Sequence, residues 1–132
     1  MNEADIENAF KARLSGGGLT WPIAWPNQNA PGTAPFITVE IVSTGRTDDT
    51  LDGVAEIASG FVMVKAVVLE GVSTDEVNRK AQAIANLFPM GLRLVVTGGG
   101  TICVMKPSEP LQGFNADRKW HKPVRITYEA YK

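Results

Sequence analysis

The chain has 132 residues, one cysteine, one histidine and a formal net charge of −1. That length suits a single domain spanning residues 1–132, large enough to bury a core without a disulfide or metal staple. The near-neutral balance argues against a protein built mainly to grip nucleic acid, and no apolar run approaches the roughly 20 residues of a membrane span.

Asn2 is placed to cap a first helix, with Ile6, Ala9, Phe10 and Leu14 on its apolar face and Lys11 and Arg13 towards its end. Residues 15–18, Ser-Gly-Gly-Gly, end that helix and make a hinge. They lack the Lys-Ser/Thr ending of a phosphate-binding loop. Two Trp-Pro pairs at Trp21-Pro22 and Trp25-Pro26 keep the backbone extended, so only a short edge strand fits between Ile23 and Trp25. After a loop over residues 28–34, a strand over residues 36–43 alternates Ile37, Val39 and Ile41 with Thr38 and Glu40, the pattern of a sheet with one wet face. Residues 44–56 read as a long polar loop carrying Arg46, Asp48, Asp49, Asp52 and Glu56. Asp48, Thr50, Asp52 and Gly53 imitate the start of a calcium loop, but Ser59 stands where a bidentate glutamate is needed, so calcium is rejected.

Residues 61–69, rich in β-branched side chains, predict a central strand. Ser73 and Glu76 then form a capping box, with Val72 and Val77 as its staple. Val77, Ala81, Ile84 and Phe88 make one apolar stripe before Pro89 and Gly91 stop the helix. Residues 92–97 and 101–106 read as a hairpin about Gly98-Gly99-Gly100, with Cys103 as a small buried hydrophobe in its second strand. Residues 107–119 read as a second long loop with Phe114 in its middle. A last strand from Trp120 to Tyr131 puts Val124, Ile126, Tyr128 and Ala130 on one face and Arg125, Thr127 and Glu129 on the other. His121 is expected at the surface beside Trp120. The order helix, strands, helix, strands predicts an α+β domain: an antiparallel or mixed sheet with two helices packed on one face.

Catalysis needs titratable groups converging in a pocket. Here the acids gather in a loop, the thiol sits in an apolar strand and the histidine is alone, so no catalytic, cofactor or metal residues are assigned. The charge is unevenly spread. Residues 1–60 carry three bases against eight acids, and residues 61–132 carry ten bases against six acids. That asymmetry suits a head-to-tail assembly. Candidate subunit-interface residues are Arg46, Asp48, Asp49 and Asp52 on the acidic side, and Arg118, Lys119 and Lys122 on the basic side, with Phe114 and Trp120 as apolar contacts. The alternative is a small nucleic-acid-binding module, using Arg118, Lys119, Lys122 and Arg125 with Trp120 as a stacking platform.

The chain resembles the tail terminator proteins of long-tailed bacteriophages, relatives of minor tail protein U. The resemblance rests on the short first helix followed by Ile23-Ala24-Trp25-Pro26-Asn27, then Ala34-Pro35-Phe36-Ile37-Thr38-Val39. It continues through Gly60-Phe61-Val62-Met63-Val64, Ala85-Asn86-Leu87-Phe88-Pro89 and the closing strand from Trp120 to Tyr128. It implies a structural subunit, made in the bacterial host cytoplasm, that forms a hexameric ring in the virion. The ring would cap the tail tube at its head-proximal end, contacting the major tail tube protein and the head-tail connector. It implies no enzyme activity, no cofactor, no membrane and no specific nucleic acid.

Overall fold

The computed structural model describes residues 2–28, 33–48 and 56–132. Helix α1 (Glu3–Ser15) is capped by Asn2, whose side chain accepts from the Ala4 amide at 2.8 Å. Strand β1 (Ile23–Ala24) is the short edge piece that the proline pairs leave room for, and it runs parallel to β2 (Phe36–Asp48). Strands β3 (Glu56–Leu69) and β8 (Lys119–Tyr131) complete the long central ribbon, antiparallel throughout. Between them lie α2 (Thr74–Leu87), β4 (Arg93–Val95), β5 (Thr101–Val104), β6 (Glu109–Pro110) and β7 (Phe114–Ala116). The sheet order is β1-β2-β3-β8-β5-β4, with β6 and β7 also paired to β8.

The fold is α+β, with both helices on one face of a mixed sheet. Side chains alternate along each strand. Val62, Val64 and Ala66 of β3 and Val124, Ile126 and Tyr128 of β8 are therefore buried on the inner face, against Ile6, Phe10 and Leu14 of α1 and Val77, Ala81 and Ile84 of α2. Phe10 joins all three layers. Its ring lies 5.8 Å from Phe88 and 5.2 Å from Tyr128, the latter edge-on. Polar bonds hold the helices in register. Arg13 Nε donates to the Leu87 carbonyl at 2.8 Å, and Lys80 Nζ donates to the Leu19 carbonyl at 2.6 Å while lying over the Trp21 ring.

Several sequence expectations need correction. The polar stretch after residue 43 is not all loop, because β2 continues to Asp48 and β3 begins at Glu56. Backbone pairing with β3 and β8 carries these residues, so they need no apolar pattern, and a bulge between Ser43 and Gly45 takes up the extra residue. Residues 107–119 contain β6 and β7. They close on β8 through Asp117 and Arg118, both with positive φ (51° and 60°), as a primed two-residue turn requires. The glycine link after α1 is packed, since a Cβ at Gly17 would overlap the Leu87 side chain. The capping box is half formed. Ser73 Oγ accepts from the Asp75 amide at 3.4 Å, Glu76 makes no bond back, and Val72 stays exposed. Cys103 is only partly buried, on the face opposite Ile102 and Val104.

Candidate functional site

The long strands place the described candidate residues at two opposite ends of the molecule. Arg46 lies near the end of β2, where Nη1 binds Glu56 at 2.6 Å and Nη2 stands 4.0 Å from Glu3. Asp48 is the last residue of β2. Asp49, Asp52 and the calcium-like segment lie outside the described residues. The start of α1 packs at this same end, so Glu3 and Asp5 join the acidic group. Sequence reasoning missed them because nothing local tells where a first helix docks. At the other end Lys119 pairs with Leu69, Trp120 with Val68 and Lys122 with Ala66. Arg118 occupies the turn just before β8. Glu56 and Leu69 are thirteen steps apart on β3, which at about 3.3 Å per residue separates the two ends by roughly 40 Å.

The second end is less purely basic than its sequence. Glu70 donates its amide to the Arg118 carbonyl at 3.1 Å, and Asp117 is in the same turn, so two acids sit among the bases. The apolar side chains Leu69, Val72 and Phe114 are exposed there. Trp120 offers no open ring. It is partly buried, a Cβ at Gly113 would overlap its indole, and its Nε1 is buried without a partner. Strand alternation also sends Arg125 to the outer face and Lys122 to the inner one. The stacking platform flanked by bases that a nucleic-acid module would use is therefore not assembled.

His121 is not a plain surface residue. It is partly buried and stacks on Phe114, centroids 5.1 Å apart and planes 6° from parallel, with Lys65 Nζ over the far ring. Nε2 lies 3.3 Å from the Ala116 carbonyl, which assigns the proton to that nitrogen, and Nδ1 is buried with no partner. Burial lowers its pKa below 6.5, and the nearby Lys65 and Lys119 add to the effect. Tyr128, buried opposite Gly60, has its pKa raised by burial.

A cleft of about 110 Å³ lies between α1 and the acidic end, lined by Glu3, Ile6, Glu7, Ile41, Arg46 and Tyr128. No base, nucleophile and acceptor converge in it. Among the described residues no group of three metal-binding side chains occurs, and no helix is long and apolar enough to cross a membrane.

Comparison with known proteins shows the family of the chain. The sequence model of the phage tail terminator protein family matches residues 5–128. The chain belongs to the phage tail terminator protein family. The match spans both helices and the strands from β1 through most of β8, so the two ends and both sheet edges belong to the family domain. A solved structure matches with a TM-score of 0.80 at 20% identity, covering 98% of this chain and 96% of its own, which shows that the fold is shared. No curated protein matches the sequence. A tail terminator is a structural component of the phage tail and not an enzyme.

Proposed function

We propose that this tail terminator closes into a six-membered ring on the head-proximal end of the finished tail tube. The ring stops the tube from growing and offers its free face to the head-tail connector. The observation that carries the proposal is the family match over nearly the whole chain. The two contrasting ends support it. Arg46 and Asp48 at one end, and Phe114, Arg118, Lys119, Trp120 and Lys122 at the other, are the proposed contact residues, together with Asp49 and Asp52, which lie outside the described residues. A capping ring must present different faces to the tube and to the connector, and a subunit whose ends differ in charge and apolar character supplies them.

The exposed charges steer and select more than they hold, since exposed pairs contribute about 0–1 kcal/mol each. Most of the affinity is assigned to apolar groups such as Phe114 and Leu69. Negative-stain microscopy of the purified protein, alone and with tail tubes, is the test. Rings of uniform diameter, seated on one end of each tube, are the expected result. Particles that stay monomeric under both conditions would rule the proposal out.

A further inference from the structure

The sheet ends in two open edges. At one, β4 has no strand beyond it among the described residues. The Val104 amide donates to the Leu92 carbonyl at 2.9 Å and the Val96 amide to the Gly100 carbonyl at 3.1 Å. Strand alternation then turns the backbone groups of Arg93 and Val95 away from β5, towards solvent. Val95 itself is 86% exposed. At the other edge β1 covers β2 only at Ile37 and Thr38. From Val39 to Asp48 no strand lies on that side among the described residues, and Val42, Ser43, Thr44, Gly45, Arg46 and Thr47 are exposed.

The register puts β4 level with the end of β2, Arg93 with Gly45 and Val95 with Thr47. Gly45 pairs with Ser59, Ser59 with Glu129, Glu129 with Cys103 and Cys103 with Arg93, so a single row crosses the sheet from edge to edge. Each of the steps β2 to β3, β3 to β8, β8 to β5 and β5 to β4 is antiparallel, so β2 and β4 run in the same direction. An unpaired edge that ends on an exposed valine, with no proline to block it, is a template for another strand.

We infer that the β4 edge of one copy pairs with the open edge of β2 on the next, so that the sheets run on from subunit to subunit. This rests on the ring reading above and names its contact. The occupant is a second copy because both halves of the contact are on this chain, at one height and on opposite edges. Such a contact repeats by rotation about an axis along the strands and closes as a ring. Two β4 edges facing each other would make a two-fold contact and stop at a dimer. With neighbours joined edge to edge, the acidic and basic ends become the two axial faces, one for the tube and one for the connector.

Two substitutions at Val95 test the contact. Val95→Pro deletes an outward N–H and leaves the bonds of Leu92 and Val96 to β5 in place. Val95→Lys keeps the N–H and puts a charge on the edge. Both variants should melt with the parent's cooperativity and form rings about tenfold or more weakly in analytical ultracentrifugation. In the assembled parent, the Val95 amide should exchange hydrogen about tenfold or more slowly than in the monomer. If Val95→Pro misfolds, Val95→Lys and the exchange measurement still decide. Parent rings with an unprotected Val95 amide, or Val95→Lys rings as stable as the parent's, would overturn the edge pairing and leave the ring reading standing. A parent that forms no ring, alone or on tubes, would defeat the ring reading first.

Discussion

Ile84 is fully buried on the inner face of α2, among the side chains that join both helices to the sheet. Ile84→Ala should therefore cost about 2–5 kcal/mol in a denaturant melt. A variant as stable as the parent would mean that the helix packs through another face. His121 gives a pH dependence whose sign is fixed. Its folded pKa lies below 6.5, so the unfolded chain binds the proton more readily. The stability that depends on neutral His121 is present above about pH 6.5 and is lost as the pH falls below it. Parent and His121→Gln should differ most near neutrality and converge on acidification, as read from melts between about pH 7.5 and pH 5. Parallel curves would show that the histidine does not titrate in that range. At this scale the sequence was most legible where one side chain acts on its own helix, as at Asn2, at Ser73 and along the stripe from Val77 to Phe88. Cys103 and His121 were misjudged because their burial depends on which face of the sheet they take and on the Phe114 strand, and neither is a local property.

The turn at Asp117 and Arg118 shows how an element escapes sequence reading. A two-residue hairpin loop with positive φ at both positions is usually marked by Asn-Gly or Asp-Gly, and here the second position is arginine. Nothing local separated β7 from a loop. The same residue makes a prediction. Arg118→Gly relieves a left-handed backbone and should raise stability by about 1 kcal/mol, while removing a charge from the proposed contact end. Thermal melts and tube binding should therefore move in opposite directions. If both improve together, Arg118 plays no part in assembly. The upper halves of β2 and β3 were missed for a related reason. Thr44 to Thr47 are exposed and carry no apolar period, and the start of β3 that pairs with them is itself held by a strand some seventy residues later. The central strand, both helices, the short β1 and the closing strand were legible because burial imposes its period on their residues.

At the scale of the whole molecule, the charge contrast between the halves of the sequence becomes a contrast between two ends of the strands, diluted by Glu70 and Asp117 at the basic one and by Arg46 and Lys132 at the acidic one. Sequence could give the sign of the contrast but not its direction, because direction follows from the sheet register. If ring neighbours meet edge to edge and the ends face along the axis, then reversing Asp48 and Asp49 to Lys should leave ring formation unchanged and weaken binding to the tube or the connector. Light scattering would follow the ring, and co-sedimentation with tubes or connectors would follow the axial contact. If ring formation falls instead, and is restored by also reversing Arg118 and Lys119 to Glu, the two ends meet each other and the subunits join end to end. The most direct test of the central claim is the length distribution of tail tubes assembled from purified tube protein with and without this terminator, measured by electron microscopy. The account predicts that added terminator halts elongation, narrows the distribution and leaves a ring of density on one end of each tube. Tubes that keep growing with bare ends at saturating terminator would contradict it.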